Sequence, residues 1–433
     1  MTSRVDAVGL DFGTTNSAIA IVASDGTPSL ARFKSALRGA PDEETFRSIL
    51  FFEATEETGG TESAVAVGNE AIRRYLAAGG NGRLVQSLKS FLAVRSFETT
   101  DIMGEDYFLG DLIAPILIAL RTAAEAQFGP LPSRIVVGRP VHFSDARTTA
   151  DDDFAQARLD VAIRRAGWDD ITFEYEPVAA AYDYASRITR DEIVLIGDFG
   201  GGTSDFSVLR LRPAGASGRR YEILGNDGVA LAGDAFDGRM MHHIVAPALG
   251  RGTRYKSPYG TVLPVPTWPY TKLERWHHLS MLANRSTLFR LRELQRDALE
   301  PAKIGALVHV IENDQGYYLF RSVEKTKVDL SSAESAQFGF TDPPVEITRV
   351  VGRPEFESWV AHYLAEIERC VDRLMSAVAI EPQQIDSVFL TGGSSFVPAV
   401  RRIFTTRFGP DRIHLGNEFT SVARGLALRA LER

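Results

Sequence analysis

One short motif occurs twice in this chain: residues 11–17 read DFGTTNS and residues 198–205 read DFGGGTSD. Each copy is flanked by apolar runs of the β type, at residues 5–10 and 18–22 for the first and at residues 193–196 and 206–209 for the second. A glycine-rich turn between two strands predicts a hairpin whose backbone N–H groups converge on an anion, because glycine allows close approach of the backbone. Two such hairpins predict two duplicated lobes that hold a polyphosphate between them.

A single DFGTT segment could be an ordinary hairpin turn, and it is the duplication that makes coincidence a poor explanation. Asp11 and Asp198 end the strands that lead into the two turns, where a carboxylate is placed to hold a metal-bound water. The Walker pattern and the pattern Gly-x-Gly-x-x-Gly are both absent from the sequence. Neither a P-loop nor a dinucleotide-binding fingerprint therefore competes with this interpretation.

The composition is that of a soluble globular protein, with 433 residues, 44% hydrophobic and 24% charged, enough for two or three domains. The net charge of −8 argues against nucleic acid as a partner. The one cysteine, Cys370, rules out an internal disulfide and is expected in the core. We expect no membrane association and a cytoplasmic location, because no export signal is visible and no apolar run approaches the roughly 20 residues that span a bilayer.

Alternating strand and helix patterns predict an α/β fold whose second half repeats the order of the first. The predicted strands lie at residues 135–137, 172–175 and 388–390, and the predicted helices at residues 144–166 with Ser144 as N-cap, 178–187, 356–375 and 398–408.

Other segments are less specific. A third glycine loop, TGGS at residues 391–394, stands between a strand and a helix, as a ligand-binding loop would. Residues 251–286 are rich in proline, aromatic and basic residues, which is typical of a packed irregular loop or of a partner surface. The pairs His242-His243 and His277-His278 are not interpreted as metal sites. Residues 151–153, three aspartates, are expected to be a solvated early helical turn.

Five motifs in this order make the chain resemble the nucleotide-binding domain of the seventy-kilodalton heat-shock chaperones (heat shock protein 70, DnaK type), within the actin, hexokinase and heat-shock ATPase superfamily. They are residues 9–17, 176–181, 198–205, 233–237 and 390–395. The resemblance runs from residue 5 to about residue 430. It implies two ribonuclease-H-like lobes around a nucleotide cleft, each with an inserted subdomain. The implied lobes are residues 1–188, with a C-terminal helix 418–433 packing back on them, and residues 189–417, with an insertion near 251–307.

The resemblance also implies roles for individual residues, with ATP or ADP and Mg²⁺ as cofactors and K⁺ as a further candidate ion. Asp11 and Asp198, with Asp205 nearby, would hold Mg²⁺ mostly through water. Lys89 would contact the γ-phosphate and Glu176 would support the attacking water, so that Lys89, Glu176, Asp198 and Asp11 form the catalytic set. The phosphate contacts implied are Gly13, Thr14, Thr15, Asn16, Gly200, Gly201, Gly202, Thr203 and Gly233. The implied nucleoside contacts are Glu324, Lys327, Ser331, Gly392, Gly393, Ser394 and Phe396.

The chain departs from the family in two respects. Val328 and Phe396 stand where the family has two arginines that sandwich the adenine, so we expect stacking to hold the base and weaker discrimination between ATP and GTP. The chain also ends at Arg433, where the family continues into a peptide-binding domain. It therefore resembles a shortened, YegD-type branch, and no peptide-holding function is expected of it.

Three functions remain open from the sequence. The first is a slow ATP-hydrolysing switch of the chaperone type that acts on an unidentified protein partner or client. The second is an actin-like scaffold that assembles with nucleotide. The third is a small-molecule kinase of the sugar type, which the connector EPVAAA at residues 176–181 does not favour.

Overall fold

The structure is a computed structural model that describes residues 4–35, 41–53, 65–78, 82–185, 188–213, 221–274, 282, 284–313, 315–415 and 421–432. It confirms a mixed α/β fold built from several sheets and helices. No helix in the described part of the chain is long and apolar enough to cross a membrane.

The strands, in chain order, are β1 (Val5–Asp11), β2 (Asn16–Ala23), β3 (Pro28–Leu30), β4 (Phe46–Arg47), β5 (Ile49–Glu53), β6 (Val65–Val67), β7 (Gly82–Gln86), β8 (Thr99–Ile102), β9 (Glu105–Phe108), β10 (Arg134–Arg139), β11 (Asp170–Tyr175), β12 (Glu192–Phe199), β13 (Ser204–Leu211), β14 (Tyr221–Val229), β15 (Arg254–Lys256), β16 (Val262–Pro264), β17 (Ser335–Asp342), β18 (Val345–Gly352), β19 (Ser387–Thr391) and β20 (Ile413–Leu415).

The helices are α1 (Gly68–Ala77), α2 (Leu109–Phe128), α3 (Thr149–Arg165), α4 (Glu176–Ala185), α5 (Gly233–Met240), α6 (Ala246–Ala248), α7 (Trp268–Leu273), α8 (Arg285–Asp297), α9 (Pro301–Glu312), α10 (Gly316–Ser332), α11 (Arg353–Val378), α12 (Pro398–Phe408) and α13 (Ser421–Leu431). One π-helical turn, Met241–Val245, joins α5 to α6.

Two sheets share one topology. The first has the strand order β11-β10-β1-β2-β3, with β1 antiparallel to β2 and parallel to β10. The second has the order β14-β13-β12-β19-β20, with β12 antiparallel to β13 and parallel to β19. In each sheet the duplicated motif is the short turn of the central hairpin. The strand parallel to the first hairpin strand, β10 or β19, follows a helical crossover, as parallel pairing requires. The repeat seen in the sequence is therefore a repeat of the sheet.

Helices α4 and α13 lie between these two sheets. One buried cluster contains side chains from both sheets together with both helices, including Ala20 of β2, Val194 of β12, Ala181 of α4 and Ala427 of α13. Small residues allow this packing, because a Cβ atom on Gly425 of α13 would lie 1.7 Å from the carbonyl oxygen of Ala179. The opposite face of the first sheet packs on α2 and α3 in a second cluster.

The chain divides into two compact units. Unit 1 comprises residues 1–232, 365–396 and 400–433 and contains both of these sheets, the first of which has a sixth strand because β4 also pairs with β2. Unit 2 comprises residues 233–364 and 397–399, and it contains the hairpins β15–β16 and β17–β18 with helices α5 to α10. The lobes implied by the resemblance, 1–188 and 189–417, remain a prediction.

Several predicted elements are confirmed with longer bounds, and α12 has the predicted bounds. The helix predicted from Ser144 begins instead after Thr148, because Thr148 and Asp151 cap each other: Asp151 N donates to Thr148 Oγ1 at 3.3 Å and Thr148 N donates to Asp151 Oδ2 at 3.1 Å. Helix α4 begins at Glu176 and not at residue 178, since proline is compatible with the first helical turn.

Two further interpretations were wrong in part. Asp152 is 3% exposed, where three solvated aspartates were expected, because its carboxylate accepts from Phe143 N at 2.8 Å and bonds His142 Nδ1 at 2.8 Å. The described part of residues 251–286 forms the hairpin β15–β16 and helix α7, whose Tyr270 and Leu273 are buried, and not an irregular loop. The pair His277-His278 lies outside the described residues. Cys370 is buried, as predicted.

Candidate functional site

The two motif turns approach each other within unit 1. In the first, a Cβ atom on Gly13 would lie 2.0 Å from the carbonyl oxygen of Asn16, so only glycine fits the turn. In the second, Gly200 N donates to Thr203 O at 3.0 Å and closes the hairpin. A Cβ atom on Gly202 would lie 3.9 Å from Thr14 Oγ1 of the first turn. The duplicated turns therefore lie next to each other, as the predicted phosphate-binding role requires.

Lys89 and Glu176 form a buried ion pair beside these turns. The Lys89 Nζ atom lies 2.6 Å from Glu176 Oε1, and the two side chains are 9% and 8% exposed. Lys89 is in the 3₁₀ turn Leu88–Phe91 and Glu176 is the first residue of α4. Burial lowers the pKa of Lys89, but the carboxylates of Glu176 and Asp11 raise it by more, so the net pKa is raised and the ammonium stays charged.

Three aspartates gather around this pair. Burial, with the Glu176 carboxylate adding repulsion, raises the pKa of Asp11 and of Asp205 to about 8. The same two causes raise the pKa of Asp198 to about 6, against a hydrogen bond from Thr391 Oγ1 at 2.6 Å. Asp205 also accepts from Val141 N at 2.8 Å. These raised pKa values mean that the buried carboxylates disfavour one another's ionised form, which a bound cation would stabilise.

The residues fit Mg²⁺ held through water. Hard oxygen donors suit this ion, which retains several of its waters in proteins. Among the described residues, no group of three or more His, Cys, Asp or Glu side chains is close enough to hold a metal ion directly. The role of Asp11, Asp198 and Asp205 in holding a hydrated ion stays a prediction.

The third glycine loop packs on the second motif. Gly392 has a φ of +80°, and a Cβ atom there would lie 2.1 Å from the carbonyl oxygen of Phe199. Glycine at this position lets β19 turn directly into the 3₁₀ turn Gly393–Phe396, in which Ser394 is buried. The Phe396 ring is 36% exposed, and the Arg401 guanidinium lies 5.4 Å from its centre. An arginine thus stands beside the aromatic ring at a position where the resemblance implies an arginine in the family.

The remaining predicted nucleoside residues belong to unit 2. Lys327 Nζ lies 2.7 Å from Asp237 Oδ2 and 3.4 Å from the carbonyl oxygen of Gly233, so α10 and α5 are joined at this point. Glu324 pairs with Arg321 at 2.7 Å on the surface of α10. Ser331 Oγ donates to Lys327 O at 3.2 Å. Val328 is 60% exposed.

The structure therefore brings together eight of the predicted residues of unit 1, whose roles stay predictions. These are Asp11, Gly13, Thr14, Lys89, Glu176, Asp198, Gly202 and Asp205. Sequence reasoning missed Thr391 as the partner of Asp198, Ser90 and Ser144 beside Gly202, and Arg401 beside Phe396. Thr391 had a local signal, since it precedes the third glycine pair. Ser144 and Arg401 had none, because only the packing of distant segments places them here.

A comparison with protein families agrees with this geometry. The profile described as Hsp70 protein matches residues 84–251 and 310–431, which is more than half of the chain. The chain belongs to the Hsp70 family. The match leaves out residues 1–83, which contain the first motif turn, and an internal stretch, residues 252–309, which includes β15, β16, α7 and α8.

Curated Hsp70-family relatives agree along nearly the whole chain. The protein named Chaperone protein DnaK from Thermosipho africanus is 26% identical over 424 residues, covering 98% of this chain and 58% of the relative. Its counterpart from Thermotoga maritima is also 26% identical, over 425 residues, covering 98% of this chain and 59% of the relative. The chain thus spans a little under three fifths of the length of the curated relatives that it matches.

Proposed function

We propose that this chain binds Mg-ATP and hydrolyses it slowly to ADP and phosphate, as a conformational switch of the Hsp70 type. The observation that carries the proposal is the pair of glycine turns on two sheets of one topology, facing each other beside the buried Lys89–Glu176 pair. Backbone N–H groups in such turns bind phosphate oxygens, and a buried ammonium adds a fixed positive charge.

The fold itself supports the finer assignment. Two sheets with a central hairpin and two parallel crossover strands, separated by α4 and α13, favour two ribonuclease-H-like lobes of the actin-like ATPase type. The lobes would be residues 1–188 and 189–417, and the nucleotide would lie between their motif turns.

Each group then has a role in phosphoryl transfer. Lys89 would stabilise charge that develops on the γ-phosphate, and it is held in place by Glu176. Glu176 would orient the attacking water, and Asp11, Asp198 and Asp205 would hold the waters around Mg²⁺. When bound, Mg²⁺ would neutralise charge on the phosphates. Because little covalent chemistry is asked of the protein, positioning supplies most of the rate.

The nucleoside would be recognised by the residues on α10 and by the third glycine loop. Glu324, Lys327 and Ser331 are the proposed contacts of unit 2. Gly392, Gly393, Ser394 and Phe396 are those of unit 1. We expect weak preference for ATP over GTP, because neither Val328 nor Phe396 can donate a hydrogen bond to the base.

Nucleotide-dependent closing and opening of the lobes would be read by a protein partner. The segment 252–309 interrupts the match to the Hsp70 profile, and among its described residues Tyr259 is 94% and Phe289 is 61% exposed. We propose that the partner docks on this segment, and that it therefore differs from the partners of the relatives.

Isothermal titration calorimetry with Mg-ADP tests nucleotide binding. Wild type is expected to bind, and Asp198→Asn to lose most of the affinity while keeping the hydrogen bond from Thr391. Asp153→Asn, an exposed aspartate on α3, is the matched control and should bind like wild type. Wild-type affinity in Asp198→Asn would contradict the proposed metal-water role, and absence of heat with wild type would contradict nucleotide binding altogether.

A further inference from the structure

The segment that carries Lys89 has little regular structure of its own. Residues 87–97 form a series of tight turns, in which Leu92 N donates to Lys89 O at 3.2 Å, Val94 N to Phe91 O at 3.1 Å and Phe97 N to Val94 O at 3.1 Å. Ser87, which precedes them, has a φ of 55°, in the left-handed region. Single turns of this kind are weakly cooperative, because each hydrogen bond fixes several dihedral angles. Something outside the segment must hold it in place.

Arg158 of α3 supplies four hydrogen bonds to this segment. Its Nη1 atom donates to the carbonyl oxygens of Phe91 at 3.1 Å, Leu92 at 3.1 Å and Val94 at 3.3 Å. Its Nη2 atom donates to the carbonyl oxygen of Phe97 at 2.8 Å. One planar guanidinium therefore collects the carbonyl groups of four residues in the two turns that follow Lys89.

A second arginine joins the same two elements in the opposite direction. Arg95, within the segment, donates to Asp151 Oδ1 and to the carbonyl oxygen of Ala150, each at 3.0 Å, at the start of α3. The Phe154 ring of α3 lies 4.6 Å from the Arg95 guanidinium and 5.3 Å from that of Arg158. The segment is thus fastened to α3, which is itself packed on the core of the first sheet.

The environment of Arg158 indicates a specific role. Its side chain is half-buried, and burial lowers its pKa from the ordinary value. Within the described part of the chain, no carboxylate forms an ion pair with it, so the carbonyl oxygens are what offsets the cost of burying the charge. A surface arginine would have no such requirement.

We propose that Arg158 is a positioning residue that holds residues 88–97, and through them the Lys89 ammonium, against Glu176. Its importance for hydrolysis rests on the proposed function, whereas its hold on Lys89 does not. Loss of Arg158 would let the turns open and move Lys89 away from the place where charge develops on the transferred phosphate.

The first test compares Arg158→Met with Arg164→Met. Arg164 lies on the same helix but pairs with Asp160 at the surface, so it controls for the loss of an arginine from α3. We expect turnover to fall about 10-fold to 10²-fold in Arg158→Met, the size of a misplaced catalytic group, with Mg-ADP affinity unchanged. Arg164→Met should match wild type.

A double-mutant cycle separates positioning from general damage. In a Lys89→Met background, Arg158→Met should lower turnover no further, because the group that it positions is already gone. Effects that add in the double variant, or equal losses in Arg158→Met and Arg164→Met, would overturn the proposal.

The second readout needs no turnover. Limited acetylation of the nucleotide-free protein, followed by mass spectrometry, reports the accessibility of Lys89, with Lys327 of unit 2 as internal reference. Arg158→Met should raise the Lys89-to-Lys327 ratio at least about threefold, as local opening would, and Arg158→Lys, which reaches fewer carbonyls, should raise it less. Should Arg158→Met fail to fold, the comparison rests on Arg158→Lys. An unchanged Lys89-to-Lys327 ratio would overturn the proposal even if the wild-type protein hydrolyses ATP. A raised ratio would support the role of Arg158 in holding Lys89 even if the wild-type protein does not hydrolyse ATP.

Discussion

Lys89 is the residue on which the proposed chemistry depends most directly. The family resemblance implies that it contacts the γ-phosphate, and the structure places its ammonium 2.6 Å from Glu176 and close to the three aspartates. The charge is buried, so it faces little competition from solvent and its field on a bound phosphate is strong. In the proposed function, a group in this position would contribute more to hydrolysis than to binding of the product.

Lys89→Met is expected to lower ATP turnover by about 10²–10³, by analogy with the loss of one positioned donor to a developing charge. Affinity for Mg-ADP should change little, because the lost contact is to the transferred phosphoryl group. Phosphate release and ADP calorimetry on the same protein preparation measure the two quantities. Lys325→Met, which removes a surface lysine paired with Asp329, is the control.

Turnover in Lys89→Met equal to that of wild type would show that another group serves the γ-phosphate. A parallel loss of ADP affinity would show instead that Lys89 contributes to binding of the whole nucleotide.

Among the secondary-structure elements, helix α13 packs so closely on its neighbours that glycine is needed at the contact points. Gly9 of β1 and Gly425 of α13 both face backbone atoms: a Cβ atom would lie 2.2 Å from Ala427 N in the first case and 1.7 Å from Ala179 O in the second. Neither neighbour can move as a flexible side chain would. The close approach of α13 to β1 therefore requires Gly9 to lack a side chain, and its close approach to α4 requires the same of Gly425.

Gly425→Ala is expected to destabilise the protein by about 3 kcal/mol or more, at or beyond the upper end of ordinary overpacking. The free energy of unfolding in urea measures this change. Gly339→Ala in β17 is the control, because a Cβ atom there has no neighbour within 4 Å, and it should change stability by less than about 0.5 kcal/mol. Equal stability of the two variants would mean that α13 can shift away from α4 at little cost.

The π-helical turn Met241–Val245 is a second element with a local consequence. His243 in this turn stacks on Trp359, with ring centres 4.7 Å apart, and lies 2.9 Å from Arg239 Nη2. Burial, together with the positive charges of Arg239, His242, Arg251 and Arg349, lowers the pKa of His243 to about 4. The folded protein therefore prefers the neutral imidazole.

This preference determines whether the free energy of unfolding rises or falls with pH. Between pH 6.5 and about 4 the unfolded chain binds a proton at this position that the folded protein does not, so stability is lost as the pH falls through that range. NMR titration should show the His243 ring with a midpoint near pH 4, and the drop in unfolding free energy between pH 7 and pH 5 should be smaller in His243→Asn. An ordinary midpoint near 6.5 would contradict the expected environment.

The molecule as a whole comprises two compact units, and the proposed phosphate and metal contacts other than Gly233 lie in unit 1. A ligand that binds the folded state stabilises it by mass action, by about 2.7 kcal/mol at a hundred times its Kd. Mg-ADP at that excess is therefore expected to raise the midpoint of thermal unfolding. The rise should disappear in Asp198→Asn and in EDTA with ADP alone. An equal rise with ADP in EDTA would show that the carboxylate cluster does not act on a metal.

Local patterns in the sequence were sufficient for the repeated hairpins, for three further strands and for four helices, whereas the roles of the carboxylates and glycines come from the family resemblance and stay a prediction. These features depend on short-range physics: alternation of apolar residues makes strands, and glycine permits tight turns and close approach. The boundaries of α3 and α4 were misplaced because capping at Thr148 and a proline in the first turn of α4 compete with periodicity over only a few residues.

Packing between separate segments determined the hydrogen-bond partners and the burial of several side chains, which the local sequence pattern does not show. Nothing near Asp152 in sequence shows that it is buried against the backbone of residue 143, and nothing near Arg158 shows that its guanidinium reaches four carbonyl groups more than sixty residues earlier in the chain. The same holds for Thr391 on Asp198 and for Arg401 beside Phe396. Hydrogen bonds and burial between distant segments form only when the sheets and helices assemble, so their partners are set by tertiary geometry and not by neighbours along the chain.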